Sequence, residues 1–343
     1  MSEDTPILRA RPEDFRVDEE LAYAPSGEGG HTYLHVEKCM LETDEVARML
    51  ARAAGVRPSE VGYAGRKDRR AVATQWLSVP GLDPSAALAL EAPGLRVLDA
   101  ERHPHKLRVG RVRSNRFELV VRGVDEARLA PLHAAAEDVR TRGLPNRFGP
   151  QRFGRGGRNV ERALALARGE TRERDRRKAR FLHSALQAHV FNAVLEARPI
   201  PIDEVELGDV AQVVASGGLF EVEDLAREQP RALAFEITAT GPIFGRKARV
   251  PGSPVAERER DVLAALGLED MPTPPGVRAR GDRRALRVPV RDLAVDVDDD
   301  VVRLVFTLPS GSYATVLVET LLGEVEEAHG RSQGDAETGR GPE

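Results

Sequence analysis

The sequence predicts a globular protein that mixes short strands with amphipathic helices, in a chain long enough for two domains. Its 343 residues are 41% hydrophobic and 31% charged, a composition typical of a folded chain rather than a disordered one. A chain of this length can bury two separate cores. The composition changes at Pro145, where a glycine-rich and basic stretch begins, and residues 145–157 are predicted to form a loop or a strand and turn.

Four segments in the first part of the chain carry clear patterns. Alternation of apolar and charged side chains predicts strands at residues 13–21 and 116–122. An apolar stripe at helical spacing predicts a helix at 43–54, with Thr43 as its N-cap and a glycine directly after its end. The same spacing predicts a second amphipathic helix at 126–142.

The later part of the chain repeats these patterns. Helical spacing of apolar residues recurs at 181–198 and near 255–266. Residues 286–290 and 301–308 are predicted to be strands, the second with an almost continuous apolar core. The last residues, 329–343, are polar and rich in glycine, which predicts a disordered tail.

Charge is segregated along the chain although the formal net charge is only −4. Residues 102–116 hold six basic residues and no acidic one, and residues 147–180 hold twelve basic against four acidic residues. Acidic residues gather instead at 292–300 and 319–327. Such segregation can give the folded protein a basic face and an acidic face, so the basic segments are candidates for binding nucleic acid.

The single cysteine, Cys39, excludes an internal disulfide and any zinc site built from several cysteines. A single cysteine is typical of a protein from a reducing compartment. The N-terminus lacks the basic and apolar parts of a signal peptide. No apolar run reaches the roughly 20 residues of a membrane helix. His103 and His105 have no third ligand nearby, so no metal is expected. We therefore predict a cytoplasmic protein without membrane contact; its oligomeric state stays open, and a monomer is consistent with the sequence.

The strongest chemical signal lies in residues 62–76, which are Gly-Tyr-Ala-Gly-Arg-Lys-Asp-Arg-Arg-Ala-Val-Ala-Thr-Gln-Trp. Asp68 stands between two pairs of cations, after a turn that contains glycine and before an apolar strand. Flanking positive charge favours an ionised carboxylate, which can act as a nucleophile, a base or a metal ligand. A turn aspartate that caps its own backbone beside solvated arginines fits the same pattern, so the spacing alone leaves both interpretations open.

This motif resembles the signature of the TruD family of tRNA pseudouridine synthases, which carries an Ala-Gly-x-Lys-Asp core followed by Ala, Thr and Gln at these offsets. Further blocks resemble the family in the same order over most of the chain, and several blocks in order are far more specific than one. They are Arg9-Ala-Arg-Pro-Glu-Asp-Phe15, Lys106-Leu-Arg-Val-Gly with Ser114-Asn-Arg-Phe-Glu-Leu-Val-Val, Asn146-Arg-Phe-Gly-Pro-Gln-Arg-Phe-Gly154, and Leu308-Pro-Ser-Gly-Ser-Tyr-Ala-Thr315.

The resemblance implies an α+β fold, in which a catalytic domain with a mixed, mostly antiparallel sheet carries an inserted α/β domain, the TRUD domain. It places the catalytic domain at residues 1–142 and 288–328 and the inserted domain at 143–287. It also implies the reaction, which is the isomerisation of uridine to pseudouridine, with uridine-13 in the D arm of tRNA as the target. The implied partner is tRNA, and no cofactor is needed because only the attachment atom of the base changes.

The resemblance also assigns roles to single residues. The catalytic aspartate of the family falls on Asp68, and its lysine beside that aspartate falls on Lys67. The aromatic residue of its base pocket and a neighbouring polar residue fall on Phe117 and Asn115. An early basic residue falls on Arg9, where the family has lysine. Taken without the resemblance, Phe117 has the pattern of an ordinary core aromatic on the buried face of its strand.

Two further departures from the family pattern lie outside the aspartate motif. Arg147 stands where the family has an aromatic residue, and Glu319-Thr320 stands where the family has Arg-Glu. Both concern contacts with RNA rather than the reaction. Because Arg presents a planar fork and Lys a point charge, the Arg9 departure alters geometry while it keeps the charge.

The basic segments are predicted to contact RNA phosphates, which position an RNA without reading its sequence. The turn at 154–157 can offer backbone N–H groups to a phosphate, and ATP binding is not expected because the Gly-Lys-Ser/Thr ending of a P-loop is absent. A solvated charged surface is the alternative for each arginine. The candidate RNA-binding residues are Arg66, Arg108, Arg152 and Arg155.

Two functions of other classes fit parts of the pattern. One is a non-catalytic RNA-binding protein on the same scaffold, for example a tRNA folding helper. The other is a hydrolase that attacks sugars or nucleotides with a carboxylate. Such hydrolases commonly need two opposed carboxylates, and no acidic residue occurs within ten positions after Asp68.

Overall fold

The computed structural model describes residues 5–268, 273–274 and 277–328, without the side chain of Arg155. The chain forms two compact units. The described part of unit 1 comprises residues 5–130, 294–305 and 324–328, and that of unit 2 comprises residues in 131–293 and 306–323. The predicted tail at 329–343 lies outside the described residues.

The regular elements are numbered here in chain order. The strands are β1 (Ile7–Leu8), β2 (Phe15–Leu21), β3 (His31–Cys39), β4 (Gly62–Tyr63), β5 (Val72–Pro80), β6 (Glu91–Ala92), β7 (Leu95–His103), β8 (Val112–Arg122), β9 (Leu144–Pro145), β10 (Val210–Val213), β11 (Leu219–Glu221), β12 (Ile237–Ile243), β13 (Asp282–Ala285), β14 (Arg287–Val288), β15 (Arg291–Asp298), β16 (Val301–Pro309) and β17 (Glu326–Glu327). The helices are α1 (Thr43–Ala54), α2 (Pro84–Leu88), α3 (Glu126–Leu129), α4 (Leu132–Arg142), α5 (Arg158–Ala167), α6 (Arg176–Glu196), α7 (Leu225–Leu233), α8 (Val255–Ala265) and α9 (Ala314–Leu322).

A mixed sheet is the framework of unit 1. Its strand order is β15-β16-β8-β2-β5-β3-β7-β6, and the short strands β1 and β4 pair with β8 and β5. β2 runs parallel to β5, and β1 runs parallel to β17. β2 with β8, β3 with β5, and β3 with β7 are antiparallel. The predicted α+β fold with a mostly antiparallel sheet is confirmed.

Helix α1 covers part of this sheet with the stripe that the sequence indicates. Val46 and Leu50 pack into one buried cluster with Leu34 of β3 and Leu77 of β5. The bounds predicted for this helix are correct, and it ends in a left-handed glycine. The predicted N-cap is wrong: the cap residue is Glu42, because the side chain of Thr43 is used elsewhere, as described below.

The single helix predicted at 126–142 is wrong. The chain forms α3 and α4 instead, and Pro131 lies between them. Proline lacks the backbone N–H that a continuous helix needs and clashes with the preceding turn. Unit 2 begins at this proline. Helix α4 ends at Gly143, as the sequence indicates.

Unit 2 combines a small antiparallel sheet with packed helices. The strand order is β11-β10-β12-β13, and β14 pairs with β9. Helix α6 is buried on two sides: Leu186 and Val190 pack with Leu263 of α8, whereas Phe191 packs with Ile237 of β12. None of the described helices is long and apolar enough to span a bilayer.

Candidate active site

The loop that carries Asp68 begins at a very close backbone contact. A Cβ atom added to Gly62 would lie 2.3 Å from the main-chain oxygen of Leu107 and 2.6 Å from the Oγ of Ser78. Only glycine fits such an approach. The main-chain N–H of Leu107 donates to the same Oγ at 2.8 Å, and the N–H of Gly110 donates to the oxygen of Ala64 at 2.9 Å. These contacts fix the start of the loop.

The next part of the loop is held by Thr43 at the start of α1. The N–H of Lys67 donates to the Oγ1 of Thr43 at 3.0 Å, and that hydroxyl donates to the Oε1 of Gln75 at 3.0 Å. Gln75 is fully buried in β5. Because Thr43 lies in α1 and Gln75 lies in β5, the residue before Asp68 has a defined position.

Asp68 forms an ion pair that leaves half of its side chain in contact with solvent. The Nη2 of Arg9 lies 2.7 Å from its Oδ2, and the exposed fractions of the two side chains are 9% and 50%. The Oδ1 of Asp68 accepts no hydrogen bond from the described residues. The buried arginine therefore fixes one carboxylate oxygen, and the other remains available to a substrate.

Arg9 is held from several directions. Its Cζ lies 3.8 Å from the centroid of the Phe15 ring, a distance at which a guanidinium is attracted to the ring face. Its Nη1 lies 3.7 Å from the Oε2 of Glu327. Its backbone has a φ of +61°, in the left-handed region. This basic residue, predicted from the sequence, is therefore adjacent to Asp68.

A buried lysine binds the main chain of Asp68. The side chain of Lys38, in β3, is fully buried, and its Nζ donates to the main-chain oxygens of Asp68 and, at 2.7 Å, of Leu41. Burial lowers the pKa of Lys38 to about 8, although the charge of Asp68 acts in the opposite direction. Sequence reasoning missed this residue.

Lys67 belongs to a second polar cluster. Its Nζ donates to the Oδ1 of Asn115 and lies 3.0 Å from the Oε2 of Glu19, whose side chain is fully buried. The Oε1 of Glu19 accepts the main-chain N–H of Trp76 at 3.0 Å. The structure thus brings the predicted Lys67 and Asn115 together, around a glutamate that sequence reasoning missed.

Phe117 lies next to the residues around Arg9. Its ring meets that of Phe15 edge to face, with centroids 6.1 Å apart, and only 7% of the residue is exposed. The Phe15 ring also contacts the guanidinium of Arg9, which binds Asp68. A continuous series of contacts therefore connects Phe117 to the carboxylate.

The candidate RNA-binding arginines lie in different surroundings. Arg66 is exposed in unit 1 and pairs with Asp44 at 2.9 Å. The hydrogen bond that its guanidinium donates to the hydroxyl of Tyr63 raises the pKa of Arg66. Arg108 is exposed at the rim of two open cavities of unit 1. Arg152 lies in unit 2 and donates to the Oγ of Ser184 at 2.5 Å. The side chain of Arg155 lies outside the described part of the chain.

Within the described ranges, no three side chains of His, Cys, Asp or Glu are grouped as metal ligands. His103 stacks on Tyr23 with ring centroids 5.4 Å apart. Burial, and to a smaller extent His105, lowers its pKa. The two histidines of the sequence motif are thus part of an aromatic cluster.

Comparison with solved structures defines the fold. The crystal structure described as tRNA pseudouridine synthase D (TruD) from Methanosarcina mazei superposes with a TM-score of 0.73 at 21% identity, and the match covers 93% of each chain. The protein is therefore of that structure's class: an α+β protein with a mixed sheet, which here carries an open carboxylate held by a buried arginine.

Sequence comparison defines the family. The family model described as tRNA pseudouridine synthase D (TruD) matches residues 5–173 and 172–321. A tRNA pseudouridine synthase D from Anaeromyxobacter sp. (strain Fw109-5) is 46% identical over 325 residues, which is 92% of both chains. One from Thermus thermophilus is 40% identical over 323 residues, 92% of this chain and 88% of its own. The chain belongs to the TruD family.

Proposed function

We propose that this protein isomerises uridine to pseudouridine in tRNA, at uridine-13 of the D arm, with Asp68 as the nucleophile. The observation that carries the proposal is the asymmetric environment of Asp68. Arg9 holds one oxygen at 2.7 Å from a buried position, while half of the aspartate side chain is exposed. A nucleophile needs both a defined position and an accessible atom.

The reaction explains why a carboxylate suffices. The N1 glycosidic bond breaks, the uracil turns within its pocket, and C5 forms the new bond to the sugar. The hydrogen of C5 leaves as a proton, and N1 gains a proton. No electrons are gained or lost, so neither a redox group nor a group donor is required. As the nucleophile, the carboxylate can add to the uracil ring or attack the anomeric carbon. Removal of a sugar proton, in which the carboxylate would act as a base, is the third route open to this residue type.

The same proposal gives roles to the neighbouring residues. Extruding the uridine from its stack costs a few kcal/mol, and an aromatic surface returns roughly 1–3 kcal/mol by stacking. Phe117 is the proposed aromatic residue of the base pocket, because its contacts lead to Asp68 through Phe15. Asn115 and Lys67 are proposed to support the pocket, and their direct hydrogen bond makes them one unit.

We further propose that the inserted TRUD domain comprises residues 143–287 and that the catalytic domain comprises 1–142 and 288–328. Support comes from the chain path, because the mixed sheet contains both β8 and the late strands β15 and β16. The proposed RNA contacts are Arg66, Arg108, Arg152 and Arg155.

The test of the proposed function is tritium release from tRNA labelled at C5 of its uridines. Asp68→Asn keeps the size of the side chain and removes its charge, so we expect release to fall at least about 10³-fold. Affinity for tRNA, measured by filter binding, should stay within a few fold. Asp99→Asn is the matched control, since Asp99 is exposed in unit 1 and, among the described residues, accepts a hydrogen bond only from the N–H of Ala100.

Each alternative outcome has a distinct meaning. Substantial release by Asp68→Asn would remove Asp68 from the reaction. Binding without release by the wild type would indicate a non-catalytic RNA-binding protein. Free uracil in the supernatant would indicate a hydrolase.

A further inference from the structure

A cavity of about 550 Å³ in unit 2 has a wall rich in arginine. Four arginines line it, against one acidic side chain, Asp282, among the described residues of its wall. Clustered positive charge around a concave space is typical of a site for an anion. The four arginines are Arg152, Arg283, Arg284 and Arg287.

Two of these arginines serve the fold. Arg283 is buried and pairs with Glu259 at 2.8 Å. Arg287 is 1% exposed and donates to the main-chain oxygens of Arg142, at 2.6 Å, and of Ala232. Arg283 and Arg287 are both buried, whereas Arg152 and Arg284 are partly exposed, so Arg152 and Arg284 are the groups that can meet a ligand.

Arg284 is held in place by protein atoms, but not all of its N–H donors have an acceptor among the described residues. Its Cζ lies 4.2 Å above the ring of Phe148, its Nε donates to the main-chain oxygen of Asn146 at 3.1 Å, and its Nη2 donates to that of Gly311 at 2.9 Å. Its Nη1 has no acceptor among the described residues. Burial lowers the pKa of Arg284 to about 10, and the charge of Arg152 acts in the same direction.

Arg152 also has no carboxylate partner among the described residues. Its Nη2 donates to Ser184, and its Nε is buried without an acceptor. A sequestered charge that lacks a counter-charge is costly. Arg287 also lacks a carboxylate partner, so three guanidinium groups of this wall have no counter-charge among the described residues. The two that are partly exposed can bind an anion. Phosphate is the anion whose geometry the guanidinium fork fits best.

We infer that this cavity binds a backbone phosphate of the substrate RNA between Arg152 and Arg284. The inference rests on the proposed function for the identity of the RNA. The sequence identifies Arg152 as a basic residue of one segment, whereas Arg284 comes from β13 and joins it only in the fold. The residues that line the site belong to unit 2, and Asp68 belongs to unit 1. A phosphate contact positions an RNA without taking part in the chemistry, so the site contributes affinity and register.

Filter binding of tRNA to the full chain at several KCl concentrations tests the site. Arg152→Gln should weaken binding roughly tenfold at about 0.1 M salt and reduce the slope of log Kd against log salt by about 1. Arg152→Lys keeps the charge without the fork and should recover part of the loss. The control is Arg227→Gln, an exposed arginine of unit 2 that pairs with Glu228 at 3.3 Å outside the cavity; it should change Kd less than twofold.

Three outcomes would overturn the inference. The first is an unchanged Kd and salt slope for Arg152→Gln with the wild-type melting temperature. The second is an equal loss for Arg227→Gln. The third is a rise in melting temperature with inorganic phosphate, lost in Arg152→Gln, together with unchanged tRNA affinity, which would assign the cavity to free phosphate. Tritium release by the wild type is measured separately, so a failure of the cavity proposal is distinguishable from a failure of the proposed function.

Discussion

Two of the short arginine–carboxylate pairs in the described part of the chain differ sharply in exposure. Arg9 and Asp68 in unit 1 lie 2.7 Å apart, and Arg283 and Glu259 in unit 2 lie 2.8 Å apart. The exposed fractions of the two acids are 50% and 5%. Equal distances therefore serve different purposes: the closed pair can only hold the fold together, whereas the open pair presents a charged oxygen to solvent.

The closed pair shows what complete burial demands. Burial raises the pKa of Glu259 and lowers that of Arg283, so each group is disfavoured as an ion. Further donors of Arg283 are satisfied by Thr240, at 3.0 Å to its Oγ1 and 2.5 Å to its main-chain oxygen. A buried pair is tolerated when its remaining donors are satisfied in this way.

The largest expected effect comes from breaking the closed pair. Glu259→Gln leaves the Arg283 charge buried without a counter-charge, so the free energy of unfolding should fall by roughly 3–4 kcal/mol. Urea unfolding followed by circular dichroism measures the loss. Glu257→Gln, on the exposed face of the same helix, is the control and should change it by less than about 0.5 kcal/mol. If Glu259→Gln and Glu257→Gln lowered the free energy of unfolding by similar amounts, the closed pair would have no special role in stability.

The open pair should respond in activity rather than in stability. Arg9→Met retains packing against Phe15 but releases Asp68, so we expect kcat for tritium release to fall about 100-fold with tRNA affinity nearly unchanged. Arg9→Lys restores the charge and should recover at least tenfold of that loss. A loss of stability as large as that of Glu259→Gln, without a specific fall in kcat, would instead make Arg9 a structural residue.

The smallest expected effect concerns Lys38 behind Asp68. Its pKa is about 8 in the folded protein, below the ordinary value of 10.5. Between these values the unfolded chain binds more protons, so this lysine makes stability rise with pH by about 1–3 kcal/mol. Urea unfolding at pH 7.5 and 10 should show this rise in the wild type, relative to Lys38→Met. If the free energy of unfolding changed with pH in the same way in both proteins, the lowered pKa of Lys38 would be contradicted.

The sequence predicted those features that are encoded locally. The motif around Asp68 and the apolar stripe of α1 are continuous in sequence, and both lie where expected. The prediction of one helix at 126–142 is wrong because Pro131 interrupts the helix, although the apolar spacing continues across it. Thr43 failed as a cap because its hydroxyl binds the loop before Asp68.

Other parts of the site are created by long-range packing. Lys38 occupies a strand in which nothing nearby indicates that its amine reaches the main chain of Asp68. Glu19 looks like an ordinary strand residue until β2 brings it beside Lys67. Such partners are set by sheet order and register, and periodicity within one segment contains no information about either.

The left-handed backbone conformation of Arg9 lowers the stability of the protein at a residue that the proposed reaction needs. A non-glycine residue in that conformation costs about 1–2 kcal/mol, and glycine would relieve the strain at once. Glycine at this position would therefore remove the strain, but it would also remove the contacts of Arg9 with Phe15 and Glu327 and the guanidinium that orients the aspartate. Substitutions that raise the thermal stability of this enzyme should therefore be made at other positions, with Arg9 retained.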